Sequence, residues 1–215
     1  MNDLEIRIRK YSKEDESAIR EICCDTGFWG KPIDRIFQDR EIFADLIVKP
    51  YLKIEPEHTF VAEHDGKIVG YLNGYLGNNF ELSSSPIFLH TLSKMLFKYL
   101  SGKYNKRSKE FVKWSLFKSL KSLPKHPKNT AHLHFNLKEG YHGLNIGKKL
   151  INTYEEMLKR GGMNSYYGEV LSSNSRRTEY LYSKLGFNIY DKKRTTVFEP
   201  EIKEHLYLMC IYKKL

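Results

Sequence analysis

Polar and apolar positions alternate with a period of two at the start of the chain. Leu4, Ile6 and Ile8 are separated by Glu5, Arg7 and Arg9, the pattern of a half-buried strand. Ser12 and Asp15 then have capping-box spacing, and Ala18, Ile19, Ile22 and Cys23 share one helical face. Asp25-Thr-Gly-Phe-Trp-Gly30 breaks that helix, and the spacing predicts a second one from about 33 to 48, stopping before Pro50. Residues 59–64 and 67–76 are β-rich runs joined by Asp65-Gly66, the composition of a tight hairpin. Helical periodicity returns around 84–100 and 107–122, closed by a turn at Pro124 and Pro127. A strand over 131–137 puts Leu133, Phe135 and Leu137 on one face, and a helix from Ile146 to about Arg160 ends at Gly161-Gly162. A strand over 164–171, a helix over 175–185 and β-rich runs over 187–198 and 204–212 follow. The order predicts a mixed α/β (α+β) fold.

Composition narrows the class. The 215 residues are 40% hydrophobic and 29% charged, which suits a folded domain and excludes wholesale disorder. The longest apolar runs, 42–48 and 206–212, are too short to cross a bilayer. The N-terminus has no apolar signal core, and three cysteines without a Cys-x-x-Cys give no disulfide framework. A cytoplasmic protein with free thiols is the expectation.

The net charge of +10 is uneven. Residues 1–77 carry 11 basic and 15 acidic side chains, net −4, whereas 78–130 carry 11 basic and 2 acidic, net +9. A segment of that charge suits phosphates or a solvated helical face. No zinc-finger or RNA-sheet motif accompanies it, so no specific nucleic acid is expected, only weak binding that salt removes. Phe88, Leu92, Met95, Leu96, Tyr99, Phe111, Trp114 and Phe117 are the expected inward faces of two helices there. No membrane partner is expected.

The most informative stretch is Phe135-Asn-Leu-Lys-Glu-Gly-Tyr-His-Gly-Leu-Asn-Ile-Gly-Lys148. A strand runs into a loop with Gly143, Asn145 and Gly147, where a helix begins. Small or left-handed-tolerant residues let successive backbone N–H groups face one concavity, and the helix N-terminus adds partial positive charge. That is a pyrophosphate cradle with neither Walker nor dinucleotide-fingerprint spacing. Downstream stands Asn174-Ser-Arg-Arg-Thr-Glu-Tyr-Leu-Tyr-Ser-Lys-Leu-Gly-Phe187.

Together these stretches resemble the GNAT superfamily of acetyl-CoA-dependent acyltransferases. Its loop pattern, Gln/Arg-x-x-Gly-x-Gly/Ala, falls on His142–Gly147, and its later helix pattern on Asn174, Tyr182, Lys184, Gly186 and Phe187. Asp25-Thr-Gly, Pro50-Tyr-Leu, Glu55-Pro56, Phe60-Val-Ala-Glu and Ala131-His-Leu-His resemble the branch with the acetyltransferase-like domain of O-GlcNAcases and its bacterial relatives. The resemblance implies one domain over 1–215, a mostly antiparallel twisted sheet flanked by helices, and 78–130 as a helical insert before the central cofactor-binding strand. It implies acetyl-CoA held by the Phe135–Leu137 backbone and by His142, Gly143, Leu144, Asn145, Ile146, Gly147 and Lys148. Asn174 and Arg177 resemble residues that contact the pantetheine arm and phosphates.

The implied reaction is direct acetyl transfer to a primary amine of a small molecule or peptide. Tyr182 matches the tyrosine that protonates the leaving sulfur. Glu169 is a candidate base, directly or through water, with His132 and His134 as candidate relays on the strand face of Asn136. Asn136 stands where close relatives are expected to carry aspartate, and an amide cannot accept a proton as a base. A CoA-binding sensor without catalysis is therefore the alternative, and a nucleic-acid-binding protein the second. His132 and His134 have no third ligand at suitable spacing, so no metal is expected. Cys23 and Cys210 are expected to pack, Phe28-Trp29 to wall the acceptor groove or anchor its loop, and a homodimer stays open.

Overall fold

The structure is a computed structural model that describes residues 5–77, 79–175 and 178–215. Seven strands form one sheet in the order β1-β2-β3-β4-β5-β7-β6. They are β1 (Arg7–Lys10), β2 (Phe60–His64), β3 (Lys67–Tyr75), β4 (Ala131–Leu137), β5 (Ser165–Ser173), β6 (Asn188–Thr195) and β7 (Leu206–Lys214). Every pairing is antiparallel except β4 with β5. The β2–β3 hairpin turns on Asp65 and Gly66, both at positive φ, as an Asp-Gly turn requires.

Helices cover both faces. On one side lie α1 (Glu16–Thr26), α2 (Arg40–Ile47), α3 (Lys49–Ile54), α4 (Phe80–Leu100) and α5 (Lys106–Phe117), followed by the single turn α6 (Ser119–Ser122). Ile19, Ile22, Phe37, Met95 and Phe111 fill the core on that side, together with Tyr71 from the sheet. On the other side α7 (Ile146–Arg160) and α8 (Thr178–Lys184) pack on the sheet, with Leu133, Leu150, Tyr154 and Tyr166 in their core. No described helix is long and apolar enough to cross a membrane.

Two sequence expectations need correction. The helix expected over 33–48 is broken: Ile33–Arg35 is one tight 3₁₀ turn, and Asp39 caps α2 by accepting from the Ile42 amide at 3.2 Å. Pro50 does not end helical structure but sits in the first turn of α3, where its missing N–H costs nothing. In the basic segment Met95 and Phe111 are buried and Leu92 and Tyr99 half-buried, but Leu96 and Phe117 face solvent at 40% and 74% exposure. Those two lie on the side of α4 and α5 away from the sheet, because the opposite side is already filled.

Gly74 ties β3 to its neighbours. A Cβ there would overlap the Tyr154 ring and lie 2.8 Å from the His58 carbonyl oxygen. Tyr154 itself donates its hydroxyl to the His132 carbonyl at 3.0 Å, so α7, β3 and β4 are locked at one point. Gly74→Ala should therefore cost about 1–3 kcal/mol, read as a lower urea midpoint. An unchanged midpoint would contradict this packing.

Candidate active site

The parallel pairing of β4 and β5 lasts three residue pairs, Ala131 with Tyr166, His132 with Tyr167 and Leu133 with Gly168. Beyond them β4 continues to Leu137 paired only with β3, and β5 continues from Glu169 paired only with β7. A gap thus opens in the sheet, and the β5-facing backbone of His134–Leu137 has no strand partner. Phe135 and Leu137 turn toward α7, and His132, His134 and Asn136 toward the α1–α4 side.

The loop after β4 ends at Asn145, in the left-handed region at φ 60°, with Gly143 at φ 81°. Asparagine tolerates that conformation through its short polar side chain, so it replaces a glycine without deforming the turn. The first helical hydrogen bond of α7 runs from the Lys149 amide to the Asn145 carbonyl at 3.0 Å. The amides of Ile146, Gly147 and Lys148 ahead of it have no acceptor among the described residues. A Cβ on Gly147 would meet only ordinary contacts, 3.6 Å to Phe135 and 3.8 Å to Leu137. Packing does not demand glycine there, and the start of α7 lies over the far end of β4. His142, Gly143, Leu144 and Lys148 line the exposed rim, and Ile146 anchors the loop in the core.

On the α1–α4 side the gap meets a polar cluster that runs from the buried His132 out to the exposed Glu81. The His126 side chain lies between two carboxylates, Nδ1 2.7 Å from Glu81 of α4 and Nε2 3.0 Å from Glu169 of β5. Burial disfavours its charge, but these two hydrogen bonds win and raise its pKa to about 9. Burial likewise pushes Glu169 upward, and the His126 hydrogen bond with nearby histidine charge outweighs it, holding the carboxylate below its ordinary value. The His126 hydrogen bond lowers Glu81 to about 2. His132 lies 3.8 Å from Glu169 through Nε2, with the Tyr51 hydroxyl 3.0 Å from Nδ1 and the Tyr167 ring stacked at 4.4 Å. Burial lowers His132 and His134 to about 4, so both are neutral at pH 7.

Asn136 donates its amide to the Tyr71 hydroxyl at 3.2 Å, which also lies 3.5 Å from His134 Nδ1 and shares a hydrogen bond with the buried Cys23 thiol. Tyr182 lies across the sheet, its ring edge-on to Phe187 at 5.7 Å, and its hydroxyl has no partner among the described residues. Burial raises that phenol to about 12, so it holds its proton at neutral pH. Asn174 occupies the exposed turn after β5, and Arg177 lies outside the described residues. Phe28 is buried against Phe198 and anchors its loop, leaving Trp29 half-exposed.

The structure thus brings Glu169, His132, His134 and Asn136 to one side of the gap and the α7 cradle to its end. Sequence reasoning missed His126, Glu81, Tyr51 and Tyr71. Tyr51 carried a signal in the Pro50-Tyr-Leu stretch, and Tyr71 in its inward place on the strand antiparallel to Asn136, whereas His126 and Glu81 carried none.

Proteins of known structure share this architecture. A protein described as SsHAT aligns with TM-score 0.63 at 22% identity, covering 97% of this chain and 98% of that one. YncA, a putative acetyltransferase from Salmonella typhimurium solved with its cofactor acetyl-CoA, aligns with TM-score 0.58 at 16% identity, covering 98% and 94%. A polyamine N-acetyltransferase from Drosophila melanogaster aligns with TM-score 0.56 at 14% identity, covering 98% and 100%. No curated protein matches the sequence. Residues 18–187 match the Acetyltransferase (GNAT) family, and with the split β4–β5 pair and the α7 cradle now described, the chain belongs to that family of N-acetyltransferases.

Proposed function

We propose that the protein transfers the acetyl group of acetyl-CoA directly to a primary amine of a small molecule or peptide. The observation that carries this reading is the unpaired amide group at the start of α7, set over the unpaired edge of β4. Bound acetyl-CoA supplies an activated thioester. The Ile146–Lys148 amides fit its pyrophosphate, Phe135–Leu137 offer backbone groups to its pantetheine arm, and His142 and Lys148 reach the phosphates from the rim. Asn174 and Arg177 complete that set. In this reading residues 1–215 are one catalytic unit and 78–130 an insert within it. Asp25-Thr-Gly and Ala131-His-Leu-His support kinship with the O-GlcNAcase-like branch.

Tyr182 is the general acid, since a phenol that keeps its proton and has no partner among the described residues can give it to the leaving sulfur. The base is Glu169, ionised at neutral pH and sited where the strands part. Asn136 donates rather than accepts, so it orients Tyr71 and takes no proton. Each acetyl transfer breaks the thioester C–S bond as the C–N bond forms, moves the amine proton to Glu169 and the Tyr182 proton to sulfur, and exchange with solvent then returns a proton from Glu169 to Tyr182. His126 holds Glu169 in place.

Three outcomes test this. Purified protein should bind acetyl-CoA by calorimetry, and Gly147→Asp should weaken it at least about tenfold by placing an anion in the cradle while leaving the melting temperature intact. In a screen of amines for CoA release, Tyr182→Phe should lower kcat by about a hundredfold with little change in KM for acetyl-CoA. A variant at full turnover would remove Tyr182 from the chemistry. The His126 clasp gives a pH signature, because the folded state holds that proton more tightly than the unfolded chain. Its stabilisation is complete below 6.5 and lost as pH rises through about 9. His126→Gln should cost about 1–3 kcal/mol near pH 6 and progressively less on the alkaline side, measured by urea unfolding across pH.

A further inference from the structure

The side of α4 away from the sheet carries an uncharged, mostly apolar stripe along its length. Leu82, Leu89, Phe97 and Leu100 are 67–73% exposed, and Leu96 joins them at 40%. The exposed positions 82, 86, 89, 93, 96 and 100 recur every three to four residues, with 97 beside them, and none is charged. Over 21 residues this stripe runs about 30 Å. Phe117 of α5 and Leu120 of α6 are also exposed, at 74% and 79%. The same segment carries lysines with no acidic partner among the described residues: Lys94, Lys103, Lys106, Lys113, Lys118 and Lys121, all exposed.

We propose that this face of α4, α5 and α6 docks on an anionic lipid surface, lying in the interface rather than spanning it. The charge argues for that occupant. Leucine and phenylalanine flanked by unpaired lysine is the composition of interfacial helices, whose stems reach the headgroups while the apolar stripe enters the acyl boundary. A second copy is the poorer fit, because a two-fold axis through α4 would oppose two segments of net charge +9. The opposite side of α4 carries Phe80, stacked on Tyr51, and Glu81, bound to His126. The docking helix is therefore also the roof of the polar cluster beside Glu169. This departs from the expectation of no membrane partner.

Sedimentation with phosphatidylcholine vesicles, with and without phosphatidylserine, tests the proposal on the full chain. Binding should require phosphatidylserine and weaken with salt. Leu89→Ser with Phe97→Ser should lower it at least about tenfold, with a melting curve like that of the parent because both side chains are exposed. Lys113→Gln with Lys118→Gln and Lys121→Gln should abolish the preference for phosphatidylserine. Failure to bind either vesicle overturns the proposal, as does equal binding by parent and Leu89/Phe97 variant. Retention on heparin without vesicle binding would make the surface a purely electrostatic one and overturn it too. A concentration-dependent dimer by light scattering, lost in the Leu89/Phe97 variant, would assign the stripe to a second copy instead.

Discussion

The arrangement depends on one constraint, the end of parallel pairing between β4 and β5 after Leu133 and Gly168. Up to that point the sheet is continuous, and hydrogen bonds hold its two arms together. Past it, β4 keeps β3 and β5 keeps β7, so the backbone edge facing the gap must find other partners. Every part of the candidate site is placed by this divergence. The cradle lies over the far end of β4, Glu169 is the first residue of β5 beyond the last pair, and Tyr182 rides on a helix packed against the arm that β5 begins.

The segment between β3 and β4 is more than a surface addition. It returns to the sheet through His126, which joins a carboxylate of its own first helix to one from β5. It is fastened again where Trp114 donates to Thr196 at 3.1 Å and Arg107 pairs with Glu201. A half-buried imidazolium between two carboxylates is held while both stay ionised and near, since losing either leaves its charge less well compensated. The position of the segment and the charge state of the site are thus one variable.

Much of this was legible in the chain. Alternation and turn chemistry located the β2–β3 hairpin, and strand 131–137 and helix 146–160 stand as read, because their periodicity is strong and glycines punctuate them. Local pattern failed where tertiary packing decides. Ile33 and Phe37 look helical by spacing, yet both are consumed in a compact turn whose end is set by the Asp39 cap. The His126 cluster was invisible for another reason. Its members come from α3, α4, β4, β5 and the turn before β4, so no spacing joins them, and a histidine between two prolines' reach reads as loop. Periodicity places Leu96 and Phe117 inward because it finds apolar faces without saying which of two is covered.

The net charge of +10, with +9 of it on residues 78–130, gives the molecule a long-range attraction for anions that is concentrated on that segment. In the field of a polyanion the uneven charge favours approaches with 78–130 leading. Such pre-orientation acts on the frequency of productive encounters and leaves contact energies untouched. It is felt over roughly a Debye length, about 8 Å at physiological ionic strength. Dilute buffer would therefore quicken the approach of any anionic partner and tighten its binding to the same extent, since a faster encounter at an unchanged escape rate is a higher affinity.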